Sequence, residues 1–341
     1  MSGITQFKEF SAEALQGLVD ESVRDRTVTL GDRFLPNRNV YSNNFAYDII
    51  KKSKYIGAMI GYGAEPPVVD RDAVAQMHGE IAKMGLKHIV TEEELLQLNQ
   101  PRSNAELANL IDSQLVKGID LTNALQRRID VIKMEALAKG SFSYNKNNVK
   151  VSVNFLENAP ADHKVALTAG NDWDTADHDV VGDLLAWVDT YEKNTGRTPD
   201  VILMSREVQA KLLKNGVIVA EARPNVTGAT RVSVAELTEV LNGYGLPPVQ
   251  VVTDRKVTVK NVYTGADEVI EYFPVNRVVM LSEGVGNFLF GPTVENNFQP
   301  GIVLQAKDKD EPIQSILRTV AAGFPALEAP DLIFHADVFT A

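Results

Sequence analysis

The sequence has no cysteine among its 341 residues. That excludes disulfides, thiolate metal sites and cysteine nucleophiles together. Long apolar runs are also missing. Nothing around residues 278–281 or 316–327 approaches the ~18 residues of a membrane span. The opening, Met1-Ser-Gly-Ile-Thr-Gln-Phe-Lys-Glu, lacks the charged-then-apolar layout of a secretory leader, so cytosolic manufacture is expected. Positive charge is in deficit, with a formal net charge of −11. Such a chain is not a polyanion binder held by general phosphate contacts. It can still form a wall that encloses nucleic acid, because an acidic inner surface limits adhesion.

The signatures of chemistry are absent too. There is no G-x-S-x-G elbow, no P-loop and no H-E-x-x-H zinc helix. Gly61-Tyr-Gly63 and Gly284-Val-Gly286 begin like dinucleotide loops, but Pro66 and Leu289 stand where the third glycine belongs. Hinges or turns are the better reading of both. The five histidines, His78, His88, His163, His178 and His335, are scattered. Asp172-Trp-Asp174-Thr-Ala-Asp177-His178-Asp179 is the one metal candidate, and it lacks the order of a calcium loop. Acids before a helix favour its positive end, so capping by Thr175 or Asp177 outranks a cation there. Glu92-Glu93-Glu94 reads as a solvated face, with contact to a basic neighbour as the alternative, and Lys51-Lys52-Ser-Lys54 as solvated or as one side of an inter-subunit ion pair. Asn225-Val-Thr227 spells a glycosylation acceptor that a cytosolic chain does not use. No catalytic, cofactor or metal residue is assigned, and no enzyme is expected.

What is present is an ordered set of parts. The hydrophobic fraction of 44% suffices for a real core. Residues 1–53 read as a weakly structured arm. It holds one short amphipathic helix (Phe7, Phe10, Ala14, Leu15, Leu18) and a polar stretch over 31–39, with too little apolar surface to pack alone, so docking on a neighbour is expected. Residues 54–95 read as a glycine-rich extended excursion, two-stranded up to about 90, which would rest on another subunit. Tyr55, Ile56, Met59, Ile60, Met77, Ile81, Met84 and Leu86 are its candidate contacts.

A long helix follows over 103–139, opened by a Ser103/Glu106 capping box and closed by Gly140. Leu107, Leu110, Ile111, Leu115, Ile119, Leu125, Ile129, Ile132 and Ala136 form one stripe at intervals of threes and fours. A coiled coil is the bland alternative, against which Gly118 and the uneven spacing argue. Next come a strand over 149–155, helices near 176–193, 205–215 and 234–242, and strands at 201–204, 249–252, 257–263, 268–273 and 277–281. The tail alternates as strands near 315–322 and 331–339.

This order resembles the Hong Kong 97-type fold of tailed-phage capsid proteins and encapsulin shells. Local text is most similar to the lambda-type major capsid protein, the protein E family. The resemblance rests on Asn171-Asp-Trp-Asp and on Thr198-Pro-Asp-Val-Ile-Leu-Met-Ser-Arg-Glu-Val-Gln-Ala-Lys-Leu-Leu. It rests also on Glu271-Tyr-Phe-Pro-Val-Asn-Arg-Val-Val-Met-Leu with Gly286 and Gly291-Pro, and on 319–341 with Pro325, Pro330 and Asp331. It implies an α+β fold with an N-terminal arm (1–53), an E-loop (54–95) and a P-domain (96–174) carrying the spine helix. An A-domain (175–298) and returning P-domain strands (299–341) complete it.

The resemblance further implies hexamers and pentamers in an icosahedral phage head that encloses double-stranded DNA. A rounded procapsid would expand as DNA enters, and the protein would be a virion component assembled in the bacterial host cytoplasm. A separate scaffolding protein, a portal and a decoration protein are the implied partners, and no membrane is. Some relatives crosslink a lysine to a neighbour's asparagine. Lys83 and Lys87 lie in the loop region, but no acid identifies itself beside them, so crosslinking is not expected. An encapsulin-like cargo shell is the nearest rival; an α/β enzyme or a tail-tube protein is more distant.

Overall fold

The computed structural model describes residues 3–42, 44–49, 75–80, 82–146, 149–226, 228–261 and 264–340. Its elements begin with α1 (Ala12–Arg24), α2 (Leu30–Phe34), β1 (Asn37–Asn39), β2 (Asn44–Ile49), β3 (Ala75–Glu80) and β4 (Ala82–Val90). Next come α3 (Glu92–Asn99), α4 (Asn104–Lys139), β5 (Ser141–Lys146), β6 (Val149–Asn154), β7 (Lys164–Ala166) and α5 (Val180–Thr195). β8 (Val201–Ser205), α6 (Arg206–Leu212), α7 (Gly216–Ala222), α8 (Val234–Gly243) and β9 (Val249–Val252) follow. Then come β10 (Lys256–Lys260), β11 (Asp267–Glu271), β12 (Arg277–Leu281) and β13 (Asn287–Thr293). β14 (Gln299–Pro300), β15 (Val303–Lys309), β16 (Gln314–Ala326) and β17 (Ile333–Asp337) close the chain. No described helix is long and apolar enough to cross a membrane.

The chain folds into two compact units. The first comprises Met1–Phe45, Glu80–Val151 and Asn287–Ala326; the second comprises Ala46–Gly79, Ser152–Gly286 and Leu327–Ala341. Three of the differences from the expected bounds follow from strand pairing. Residues 152–174 and the closing strand β17 lie in the second unit, and β13 lies in the first. The reason is pairing: β17 runs antiparallel to β12 and parallel to β7, whereas β13 runs antiparallel to β16. Register of this kind joins segments far apart in sequence, and local alternation does not reveal it.

The first unit is built on α4. Its 36 residues make a rod of about 54 Å at about 1.5 Å per residue. Ser103 caps it, its hydroxyl accepting from the Glu106 N–H at 3.1 Å. The expected capping box is only half formed, since the Glu106 carboxylate accepts from the Arg102 N–H instead. Gly140 ends the helix at φ 67°, a left-handed position that suits glycine. The stripe lies not on a second helix but on a six-stranded sheet, ordered β1-β13-β16-β15 with β4 on the other edge of β16 and β14 on β13. At Gly118 the packing is close enough that a Cβ would meet Leu304 Cδ2 at 3.0 Å. Glycine there admits the sheet.

The arm does pack on its own chain, contrary to the expectation that its apolar surface is too small for that. Ile4, Phe10, Leu15 and Val19 join Leu304, Leu317 and Val90 in one core cluster, and Phe34 and Leu35 are fully buried. Each such side chain contributes about 1.5–3 kcal/mol of burial. The polar stretch over 31–39 disguised this, because its few apolar residues are spaced for docking rather than for a local stripe. A charge network fixes it. Lys133, with no exposed side-chain surface, reaches Asp32 Oδ1 and Asn37 Oδ1, each at 2.7 Å. Arg26 donates to both Asp130 oxygens at 2.7 and 2.8 Å and also pairs with Asp32. Burial pushes the Asp32 carboxyl up, but the Lys133 ammonium and the Thr29 hydrogen bonds outweigh it and hold it at about 2.

The second unit carries a five-stranded sheet in the order β7-β17-β12-β8-β9. β8 is buried along its whole length, as its unbroken Val-Ile-Leu-Met run requires. Trp173 stacks on Trp187 at 5.7 Å, and Tyr191 donates to Ser282 Oγ at 2.7 Å. His163 stacks on Tyr191 at 5.6 Å with Nδ1 3.1 Å from the Ile333 carbonyl. Its Nε2 is buried without a hydrogen-bond partner among the described residues. The helix expected near 176–193 starts at Val180, and the one expected over 205–215 ends at Leu212, after which Asn215 caps α7.

Asp32→Asn strands a buried ammonium and costs about 3 kcal/mol in denaturant unfolding. Adding Lys133→Met to it recovers most of that loss; an equal loss in both variants would show that the pair is not the anchor. Burial lowers the pKa of His163, against the pull of the Ile333 carbonyl, Asp162 and Asp331. The unfolded chain therefore binds the proton first, and stability falls as pH drops below about 6.5. Thermal melts of the unassembled chain at about pH 7.5 and about pH 5.5 check this, and His163→Phe flattens the difference. An unchanged slope in the variant assigns the acid sensitivity elsewhere.

Candidate functional site

The acidic cluster before α5 is the densest group of ionisable residues that the sequence suggested as a site. Each carboxylate whose contacts are resolved is committed to the fold. Asp172 accepts from the Asp174 N–H at 3.3 Å and from Thr175 Oγ1 at 3.5 Å. Asp174 pairs with Lys211. Asp179, not Thr175 or Asp177, is the N-cap of α5 and accepts from the Gly182 N–H at 2.8 Å. Asp183 accepts from Trp173 Nε1 at 2.9 Å and lies 2.7 Å from His178 Nε2. A shallow hollow lies over this cluster, lined by Thr175, Asp177, His178, Asp179 and Asp183. Among the described residues no group of three His, Asp or Glu side chains is placed to hold a metal ion. Helix capping explains the cluster in kind, with the cap itself two residues later than Asp177.

Gly284 sits in a turn at φ 87° followed by a strand, not by the helix that a dinucleotide loop needs. Gly61-Tyr-Gly63 lies outside the described residues. Glu94 caps α3 through the Thr91 N–H and reaches Lys117 at 3.2 Å, so part of the Glu92–Glu94 run is structural.

The candidate contact residues divide into three groups. Tyr55, Ile56, Met59, Ile60 and Ile81 lie outside the described residues. Met77 stands on β3, which pairs with β2, and its side chain is likewise not described. Met84 and Leu86 lie on β4, opposite Ala321 and Thr319 of β16, and both are half-buried within the first unit. These two are therefore partly covered by their own chain. The segment over 82–90 alternates strictly and finds its partner in β16 far downstream, which a local reading as half of a hairpin misses. Lys83, on the opposite face of β4, pairs with Glu295 at 2.8 Å.

One group escaped the sequence reading although a signal existed. Lys133 follows Ile129 by four residues and precedes Ala136 by three, so it falls inside the apolar stripe of α4. A lysine there demands a buried acid, and Asp32 supplies it.

Among solved structures, the putative capsid protein of a prophage of Escherichia coli CFT073 aligns with a TM-score of 0.62 at 13% identity, covering 96% of this chain and 99% of that one. A phage-related protein from Bordetella bronchiseptica RB50 aligns at 0.54 and 13% identity, covering 94% and 96%. The mature capsid subunit of bacteriophage PhiM1 aligns at 0.50 and 12% identity, covering 93% and 89%. No curated protein sequence matches the chain. The α+β fold is thus the Hong Kong 97-type capsid fold. The sequence profile described as phage major capsid protein E matches residues 19–338, across both compact units. The chain belongs to the phage major capsid protein E family, a family of structural shell subunits.

Proposed function

We propose that this chain assembles with copies of itself, as hexamers and pentamers, into an icosahedral head that encloses double-stranded DNA and has no catalytic role. The observation that carries this reading is the family match over residues 19–338. The cluster before α5 supports it, since Asp172, Asp174 and Asp179 are spent on a turn, an ion pair and a helix cap. We assign the first unit to the P-domain with its arm, and residues 152–286 to the A-domain. Residues 54–80 form the E-loop, and Tyr55, Ile56, Met59, Ile60 and Met77, with Ile81 just after them, are its contacts on a neighbouring subunit. A rounded procapsid that expands on packaging, separate scaffolding and portal proteins, a decoration protein and assembly in the host cytoplasm complete the reading. DNA inside the particles distinguishes it from an encapsulin-like cargo shell.

Negative-stain electron microscopy tests the proposal on the chain expressed alone and together with its neighbouring genes. Closed shells, or rings of five and six subunits, are expected, with DNA in particles from the phage context. Small monodisperse particles under both conditions contradict it.

A further inference from the structure

The sheet of the first unit has one face covered by helices, and its other face is open only over the end where β4, the start of β16 and the end of β15 run together; farther along, Val303, Val320 and Ala322 on that face are buried. On β4, β16 and β15 the side chains of Val90, Leu317 and Leu304 point into the core with α1, α3 and α4. The opposite face follows from the register. Ile89 lies beside Ile316, and Ile316 beside Lys307; Lys87 lies beside Arg318, and Arg318 beside Gln305. Lys309 and Lys83 extend the same face at its two ends. Every charged residue that these three strands place here is a cation, although the chain has 45 acids against 34 lysines and arginines. Among the described residues their single acidic answer is Glu295, which engages Lys83 at 2.8 Å and Arg318 at 3.7 Å. Lys87, Lys307 and Lys309 are exposed and make no ion pair among the described residues. Ile89 is 38% exposed between them, and Ile313 at the end of the adjoining turn is 43% exposed.

We propose that this cationic, isoleucine-centred face docks an acidic surface of a second copy of the chain. This docking rests on the self-assembly proposed above and adds the surface that makes it workable. Copies that each carry −11 repel one another at long range. A shell of them therefore needs contacts in which opposite signs meet, and an all-cation face on an acidic chain supplies one side of such a contact. A face of one sign cannot pair with itself, so the contact is heterologous, the kind that closes rings. The aliphatic centre favours a protein surface over nucleic acid, because phosphates gain nothing from covering isoleucine and bases stack on aromatic rings, not on aliphatic chains. Lysines around an apolar centre form the polar rim of a protein contact.

The test compares the full chain with the variant Lys87→Glu/Lys307→Glu/Lys309→Glu and with a control, Lys256→Glu/Lys260→Glu on the β10–β11 hairpin. Sedimentation and electron microscopy read assembly; circular dichroism and thermal melting read folding. The triple variant is expected to fold with an unchanged melting profile and to remain as unassembled subunits, while the control assembles like the unmodified chain. Wild-type assembly is also expected to weaken steeply with salt. If the unmodified chain never assembles, the self-assembly reading itself fails. If it assembles and the folded triple variant forms shells equally well, the docking face is wrong. Shells of normal yield that have lost only DNA retention would reassign the face to nucleic acid and overturn the proposal. Should the triple variant not fold, Lys87→Gln/Lys307→Gln in the same assay decides, with reduced assembly expected and unchanged assembly contrary.

Discussion

A helix of 36 residues with one apolar stripe cannot bury that stripe by itself, and much of the first unit follows from this constraint. A second helix would give a coiled coil. Here the cover is a sheet, whose longest strand, β16, gathers β4 on one edge and β15 and β13 on the other. The arm closes the remainder. Ile4, Phe10, Leu15 and Val19 fill the space along β15 and α4, and Phe34 and Leu35 fill the space near the helix's far end. Only glycine at 118 lets Leu304 come as near as it does.

Each unit also holds a polar group that makes its packing specific. In the first, Lys133 gives up water for Asp32 and Asn37, and Arg26 bridges Asp32 to Asp130. Such a pair adds little net stability over a well-packed apolar substitute, but breaking one half is costly, so the arm has one register on α4. In the second, Tyr191 is tied to Ser282 and to the Leu332 carbonyl, with its ring against His163. Burial raises the pKa of that phenol to about 12, so it remains a neutral donor. Both arrangements join segments distant in sequence, where a slip by one residue would leave a buried group unpaired.

The local parts of this fold were legible in the sequence. Ser103 and Gly140 bracket α4 to within a residue, and β8, β9, β12 and α8 stand where alternation and caps place them. The fold class followed from the order of parts and from the resemblance. Pairing was not legible. Nothing near Asp331-Leu-Ile-Phe says that β17 joins β12 rather than β16, and β13 and β15 were not recognised as strands at all. The packing of the arm is hidden in the sequence because its apolar residues meet partners on α4 and β15 rather than one another. The acidic cluster was legible as helix capping but not as Asp179 in particular. The cationic face could not be seen without the register, since Lys87, Lys307 and Arg318 come together only when three strands align.

The central claim is that α4, its sheet and the arm form one self-sufficient frame that presents an open face to other copies. Hydrogen–deuterium exchange on the chain before and after assembly tests it most directly. The account predicts that residues 30–39 exchange as slowly as the middle of α4 in the unassembled chain, and that assembly adds protection along β4, the edge of the open face. Fast exchange over residues 30–39 before assembly, with protection gained there only in the shell, would contradict it.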